Sequence, residues 1–237
     1  MTDITATRPT AGGYQLPDLV TLEPGGGSAS SLSEKAYYLL RDRLITLQIP
    51  PGATIDERAL QKDLDLGRTP VREALRRLAD DRLVQVVPRR GIFASHVDLG
   101  DLSAISEVRV EFEAYAGHLA AKRATQADRD AITELFDELD RRAVSASTTE
   151  LIRLDLRTHR LVHRATHNAY LAATLEEYYV HSLRMWFLVL DRVERLGPAV
   201  DEHRELLAAV HDGDSTRAEQ VLRRHVAGFE QEIRPVL

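Results

Sequence analysis

Four side chains in the C-terminal half have types and spacings that suit a metal ion. Asp155 and His159 are four residues apart, so on a helix they project from the same face. Apolar residues share that face, which points both side chains toward a helical interior, where a carboxylate needs a partner such as a cation. His203 and His225 each fall within an apolar helical stripe. Both are therefore candidates for the same interior.

A turn at Gly213 would bring these two histidines together. His203 lies 10 residues before Gly213 and His225 lies 12 residues after it, which is ~15 and ~18 Å along two helices. In an antiparallel hairpin the two imidazoles then reach the same level. One Asp and three His from three helices predict a site for Zn²⁺, Ni²⁺, Mn²⁺ or Fe²⁺.

Two other interpretations of the histidines remain open. His203 and His225 can be core histidines with hydrogen-bond partners. The ladder His159, His163 and His167 is a second candidate site. We disfavour the ladder because His163 is expected to turn toward Arg160 and away from the apolar face, and His167 lies near the end of its helix.

A second group of chemically active residues is cationic and lies in the N-terminal third. Thr69 before Pro70 predicts a helix start, and the helix is expected over Pro70–Asp81. Arg72 and Arg76 share one face of it, opposite the apolar positions, and Arg68 comes just before it. Arginines at such a helix N-terminus can read guanine in the major groove, while Thr69 and the first amides can meet a phosphate.

Further cations flank this helix. Arg89 and Arg90, followed by Gly91, form a turn that can reach the DNA backbone or minor groove, and Arg58 on the preceding helix is another backbone contact. The alternatives are an ordinary solvated face and a winged helix that binds protein.

The elements that carry the arginines form a winged helix-turn-helix. A helix begins at Ser33, Asp56 caps a short helix, the Pro70–Asp81 helix follows, and strands near 83–87 and 92–95 form a hairpin. From Asp101 onward the pattern is only helical, near 101–123, 126–143, 148–166, 169–193, 200–212 and 215–234. The predicted divisions are a flexible tail (1–32), the winged domain (33–96), a linker (97–102) and an all-α domain (103–237).

Composition supports a cytoplasmic, soluble protein. The chain has 237 residues and no cysteine, which excludes disulfides and thiol catalysis. No apolar run approaches the ~20 residues of a membrane helix, and no signal peptide is expected. The net charge is -6, yet Ser33–His96 holds 12 Lys and Arg against 9 Asp and Glu. This excess of positive charge in the N-terminal part of the chain predicts an anionic partner.

The stretch Ser33–Ser95 resembles the DNA-binding domain of GntR-type bacterial transcription regulators. The matching segments are Pro51-Gly52, Glu57-Arg58-Ala59-Leu60, Arg68-Thr69-Pro70-Val71-Arg72-Glu73-Ala74-Leu75-Arg76-Arg77-Leu78 and Arg89-Arg90-Gly91. The resemblance implies that Arg58, Arg68, Arg72 and Gly91 contact DNA. Gly67 stands where the family has a small apolar or hydroxyl residue, so a contact there would come from the backbone.

The second domain resembles the effector domain of the FadR-like branch of that family, an antiparallel bundle of six or seven helices. The resemblance implies metal ligands at Asp155, His159, His203 and His225, although Thr158 replaces the usual aromatic. The segment Glu107-Val108-Arg109, with Glu113-Ala114, matches the first-helix motif of that domain. Asn168 matches the short turn after the helix that carries Asp155 and His159. Many members bind small carboxylates, often on the metal, so Arg109 and Asn168 are candidate effector contacts. The alternative for Arg109 is a structural salt bridge with Glu107 or Glu113.

The leading prediction is a homodimeric, ligand-responsive transcription regulator, a repressor with no catalytic residues. It binds operator DNA, a divalent metal and a small carboxylate. A metal-dependent hydrolase using the Asp/His₃ site is the alternative from another class. A regulator whose cavity binds ligand without metal is the third. The sequence disfavours the hydrolase because no separate general base stands beside the four ligands.

Overall fold

The structure is a computed structural model that describes residues 31–142, 148–189, 192 and 196–236. Nearly all of the predicted tail, 1–32, lies outside the described residues. The fold class is confirmed: in the described part, nine helices and one three-stranded sheet form a winged helix-turn-helix followed by an all-helical domain. None of the described helices is both long enough and apolar enough to span a bilayer.

The winged domain consists of three helices and a small antiparallel sheet. Its elements are α1 (Leu32–Ile45), β1 (Thr54–Ile55), α2 (Glu57–Leu64), α3 (Arg68–Asp80), β2 (Val84–Val87) and β3 (Gly91–Ala94). The strand order is β1-β3-β2, and β2 pairs with β3 from Val84 opposite Ala94 to Val87 opposite Gly91. The core beneath the sheet is formed by apolar side chains of α1 and α3.

Two helices of this domain begin earlier than predicted. Ser31, not Ser33, caps α1, since its Oγ accepts a hydrogen bond from the Glu34 amide; the Ser33 hydroxyl instead donates to Glu73. Helix α3 begins at Arg68, with Gly67 at the cap position and no side-chain cap. Thr69 therefore lies inside the first turn, which still accommodates Pro70 because first-turn amides lack helical partners.

The second domain contains the six helices expected, with small shifts at their ends. They are α4 (Leu99–Arg123), α5 (Gln126–Arg142), α6 (Thr148–Ala165), α7 (Ala169–Val189), α8 (Leu196–Asp212) and α9 (Ser215–Ile233). Helix α4 begins inside the predicted linker, 97–102, because the Asp98 side chain caps it at the Asp101 amide. Part of the predicted end of α7, 190–191 and 193, lies outside the described residues.

Helices α4 and α9 lie against each other along their length and form the spine of the bundle. Gly117 makes the close approach possible, since a Cβ there would lie 2.8 Å from the Ala218 carbonyl oxygen. Gly213, at φ +77°, forms the turn between α8 and α9, as the sequence predicts. This turn places the two helices that carry His203 and His225 side by side.

The two domains share a continuous apolar contact. Ile152 and Leu156 of α6, with Tyr179, Val180 and Leu183 of α7, belong to the same buried cluster as the core of the winged domain. Polar bonds frame this contact: the Arg184 guanidinium donates to the Ser95 carbonyl, and the His181 Nε2 lies 3.0 Å from the Asp81 carbonyl oxygen. Helix α6, which carries Asp155 and His159, and its neighbour α7 therefore belong to one buried cluster with the winged domain.

Candidate metal centre and nucleic-acid interface

The four predicted metal ligands converge in the middle of the bundle. Asp155 and His159 come from α6, His203 from α8 and His225 from α9, and one ligand atom from each lies within 4.8 Å of the other three. The Asp155 Oδ1 is 3.2 Å from the His203 Nε2, 3.8 Å from the His159 Nε2 and 3.9 Å from the His225 Nε2. The spacing argument thus brings together the side chains it selected.

The far sides of two of the rings are held by carboxylates. The His159 Nδ1 lies 3.3 Å from the Glu113 Oε2, and the His225 Nδ1 lies 2.8 Å from the Glu202 Oε2. A carboxylate on Nδ1 places the ring proton there and leaves Nε2 with a free lone pair. Both lone pairs then point toward Asp155, which is the arrangement that metal-binding histidines require.

Protonation at this site also suits a cation. Burial acts to raise the pKa of Asp155, but the three neighbouring imidazoles outweigh it and hold that pKa below its ordinary value. Burial lowers the pKa of His159, with Glu113 opposing only in part. An ionised carboxylate beside a neutral imidazole is the ligand state that metals bind. The buried Tyr179 hydroxyl, whose pKa is raised by burial, donates to the Asp155 Oδ2.

One further observation supports a metal ion among these four residues. The buried His203 Nε2 lies 3.2 Å from the Asp155 Oδ1 but is not aligned with it for a hydrogen bond. A buried polar atom whose hydrogen bond is not made costs ~1–3 kcal/mol. A cation among the four ligand atoms would satisfy it, and a mixed carboxylate and imidazole set suits Zn²⁺, Ni²⁺, Mn²⁺ or Fe²⁺.

Arg109, the predicted effector contact, lines the same cavity. This cavity of about 30 Å³ is bordered by Arg109, Asp155, His159 and His225. That volume holds about one water molecule. The Arg109 side chain is buried, lies 5.3 Å from the Tyr179 ring centre, and donates to the Glu113 Oε1 at 3.0 Å. Any larger ligand at Arg109 must therefore displace side chains.

Glu113 is the residue that the metal prediction missed. It is fully buried and accepts from three groups: Arg109, His159 and His163, whose Nε2 lies 2.9 Å away. Burial raises the pKa of Glu113, but its interactions with His163 and His159 outweigh burial and hold that pKa well below its ordinary value. This carboxylate joins the candidate effector contact to a candidate metal ligand. Only the fold shows it, because Glu113 is 46 residues from His159.

The expectation for His163 is wrong. It was predicted to turn away from the interior, yet it is 3% exposed and lies against Glu113. The reason is that α6 packs against α4, α5, α7 and α8, so it is buried on more than one face. The His159, His163 and His167 ladder does not form one site either, because His167 is exposed and pairs with Asp128 at 2.8 Å.

Asn168 lies at the end of α6, apart from this cavity. Its Oδ1 accepts from the Leu171 amide at 3.2 Å and so caps α7. It is not among the residues that line the cavity beside Asp155. The structure gives Asn168 a structural contact, and its role toward an effector stays a prediction.

All eight residues predicted to contact DNA are exposed: Arg58, Arg68, Thr69, Arg72, Arg76, Arg89, Arg90 and Gly91. On α3, Arg68, Arg72 and Arg76 recur every four residues and are exposed, whereas Val71, Ala74, Leu75 and Leu78 are buried. The Arg72 side chain is 59% exposed, with its Nε 3.8 Å from Glu57. This cationic face of α3 is free to meet an anionic surface.

The wing turn between β2 and β3 presents two further cations. Arg89 has φ +63° and Gly91 φ +112°, both in the left-handed region, and the Arg90 amide donates to the Val87 carbonyl at 3.0 Å. This tight turn places both arginines at the tip of the hairpin. Gly91 is needed there because other residues rarely adopt such a φ.

Comparison with known proteins agrees with this architecture. The sequence matches the family described as bacterial regulatory proteins, gntR family, over residues 32–94, and the FCD domain over 104–228. An HTH-type transcriptional regulator in an unstable DNA locus of Streptomyces ambofaciens is 33% identical over 206 residues, 83% of each chain. The HTH-type transcriptional repressor GlaR of Escherichia coli is 31% identical over 205 residues, 80% of this chain and 90% of that one.

Among solved structures, E. coli McbR/YncC has the same fold. The TM-score is 0.70 at 23% identity, over 85% of this chain and 98% of that one. The winged domain with its exposed arginines and the helical domain with its Asp and His cluster thus correspond to the two matched families. The chain belongs to the GntR family of DNA-binding bacterial transcription regulators, among the members that carry a C-terminal FCD domain.

Proposed function

We propose that the chain is a ligand-responsive repressor whose helical domain binds one divalent metal ion through Asp155, His159, His203 and His225. The observation that supports it most is the convergence of three Nε2 atoms and a carboxylate within 4.8 Å of one another, with the His203 Nε2 not aligned for a hydrogen bond to any of them. Acting on chromosomal DNA places such a regulator in the cytoplasm. Repression is proposed from the relatives that are named repressors.

The DNA is contacted by α3 and the wing. Arg72, with Arg68 and Arg76 on the same face, reads base edges in the major groove, where a bidentate contact to guanine carries sequence information. Arg89 and Arg90 at the wing tip and Arg58 on α2 meet the phosphate backbone. The exposure of all these side chains and their spacing on α3 support this division of roles.

The effector is a small carboxylate that binds beside the metal and Arg109. A bound divalent ion would supply positive charge to one carboxylate oxygen, and the Arg109 guanidinium can donate to the other. Arg109 already holds a carboxylate, Glu113, at 3.0 Å, so its geometry suits an acid. Because the cavity is only about 30 Å³, binding requires the surrounding side chains to open.

A hydrolase is less well supported by this geometry. Glu113 and Glu202 are the carboxylates that contact the rings of the candidate ligands, and each accepts from a histidine Nδ1. Neither is therefore a free general base beside a metal-bound water. Among the described residues, these two carboxylates orient the imidazole rings of His159 and His225. Turnover assays on esters and phosphoesters with the metal-loaded protein test this alternative.

The active unit is a homodimer. One winged domain makes few base contacts, so tight binding requires two copies on a near-palindromic site. Phe112 and Tyr115 of α4 are 39% and 53% exposed, and large aromatics of this kind are enriched at interfaces. Light scattering at micromolar concentration should give twice the chain mass. A monomer that retains tight DNA binding would contradict the proposal.

The test of the whole proposal combines DNA and effector. A binding site is first selected from random DNA by the purified protein, and its affinity is then measured with and without a panel of small carboxylates. We expect at least one acid to change DNA affinity by ~5–150-fold, the usual range of allosteric coupling, and removal of the metal by a chelator to abolish that change. Coupling that survives full metal removal would exclude the metal-centred mechanism.

A further inference from the structure

A second and much larger cavity lies between the two domains. It has a volume of about 540 Å³ and is bordered by α1 and α3 of the winged domain and by α6 and α7 of the bundle. This is within the ~300–1,000 Å³ of sites that bind small molecules. None of the four candidate metal ligands lines it, so it is distinct from the metal centre.

The walls of this interdomain cavity are rich in guanidinium groups. Those lining it are Arg41, Arg77, Arg160 and Arg164. One carboxylate, Glu176, is shared by two of them: its Oε1 lies 3.3 Å from the Arg41 Nη1, and its Oε2 accepts from the Arg160 Nε at 3.0 Å. A single negative charge between two cations leaves a positive surplus at this wall.

The other two arginines contribute further positive charge. The Arg77 guanidinium lies over the Tyr37 ring, 3.8 Å from its centre, and Arg164 projects from α6. Neither side chain makes a hydrogen bond or ion pair within the described part of the chain. Burial lowers the pKa of Arg164, the neighbouring charge of Arg160 lowers it further, and Asp128 opposes them only in part. A bound anion would relieve this repulsion.

The remaining acids only partly offset these charges. Asp81 accepts a hydrogen bond from the Tyr37 hydroxyl at 2.6 Å, and Glu177 is exposed at the rim. With Glu176, three carboxylates line the cavity, against four guanidinium groups. The lining therefore carries a net positive charge.

The cavity also offers apolar surface for a carbon framework. Small side chains from α7, Ala169, Ala172 and Ala173, line it together with Val180 and the Tyr38 ring. Arg77 and Arg164 are exposed side chains, so they are accessible to an anion whose carbon framework packs on this apolar surface. The lining therefore suits an organic anion better than a simple inorganic one.

We propose that the interdomain cavity binds a small organic anion with at least two negative charges, carried by phosphate or carboxylate groups, held by Arg77 and Arg164. Because Arg77 belongs to the winged domain and Arg164 to the bundle, this ligand bridges the two domains. It would bias their arrangement and so DNA affinity, independently of the metal-centred effector site.

Isothermal titration calorimetry on the full, chelator-treated chain tests this, with citrate and pyrophosphate as separate probes. We expect saturable binding of at least one probe with one site per chain. Arg164→Gln should weaken it by ~10-fold or more, since a charged hydrogen-bond donor is lost. Arg157→Gln is the matched control, because Arg157 is an exposed arginine of the same helix that pairs with Glu138 outside the cavity.

Each result assigns or overturns the site. Binding of pyrophosphate alone identifies a phosphate site, and binding of citrate alone identifies a carboxylate site. Binding of both probes identifies a site that selects ligands by their negative charge. Arg77→Gln should weaken the same probe, which guards against a local effect of the Arg164 substitution. No binding at millimolar concentration overturns the proposal, as does an equal loss in Arg157→Gln. Binding that requires Arg109 but not Arg164 would place the anion in the other cavity.

Discussion

Replacing Glu202 by alanine should weaken metal binding without removing any metal ligand. The Glu202 Oε2 lies 2.8 Å from the His225 Nδ1, and this contact holds the ring with its Nε2 toward Asp155. Alanine leaves the Nδ1 proton without this acceptor and lets the ring rotate or change tautomer. All four ligands remain present, so the effect measures what the carboxylate behind His225 contributes through ring orientation, basicity and charge.

The size of the effect follows from the geometry. Loss of a carboxylate behind a metal-bound histidine typically costs 10–100-fold in metal affinity. At about 1.4 kcal/mol per tenfold, that is about 1.4–2.8 kcal/mol. Fold stability should change much less, because the Glu202 side chain is 32% exposed and its ion pair is therefore partly screened. We expect the unfolding midpoint to stay close to that of the wild type.

The assay is a competition titration against a chromogenic zinc chelator. Glu205→Ala is the matched control: Glu205 lies one turn later on α8, is 35% exposed, and pairs with Arg217 and Arg224 rather than with a histidine. The control should keep wild-type affinity. If Glu202→Ala binds zinc as tightly as Glu205→Ala, the carboxylate does not orient His225 and the reasoning about the ring is refuted.

Other consequences can be tested separately. Arg72→Ala should cost ~1–3 kcal/mol at the selected DNA site and relax its specificity, measured by mobility shift; an equal loss on random DNA would contradict base readout. Arg89→Ala should weaken binding to all DNA sequences alike and reduce the salt dependence of DNA affinity by about one charge. Gly117→Ala should destabilise the fold by ~1–3 kcal/mol in urea unfolding because α9 leaves no space, whereas Gly228→Ala, with nothing within 4 Å, should be neutral or stabilising. The reverse order would refute the packing argument.

Much of the architecture could be predicted because its signals are local. The periodic apolar positions of α3, the turn at Gly213 and the turn at Arg89-Arg90-Gly91 each act within a few residues. The candidate metal ligands could be predicted for a similar reason, since Asp155 and His159 are one turn apart and Gly213 sets the level of His203 and His225. These short-range rules fixed the helices and therefore the convergence of the four side chains.

What could not be predicted depends on packing between distant segments. Glu113 reaches His159 and His163 only because α4 lies against α6, and the sequence carries no periodic signal for that contact. His163 was misplaced because a helix enclosed by four others has no single outward face. The interdomain cavity likewise arises from the docking of two domains, which neither domain's sequence pattern reveals.

The most direct test is the metal content of the purified chain and of His203→Ala, measured by elemental analysis after dialysis. The account predicts about one divalent ion per chain in the wild type and almost none in the variant, because one of four ligands is lost. The variant should still bind the selected DNA, since α3 lies in the other domain. Stoichiometric metal in His203→Ala, or a wild type that binds none even when zinc is supplied, would contradict the proposed centre.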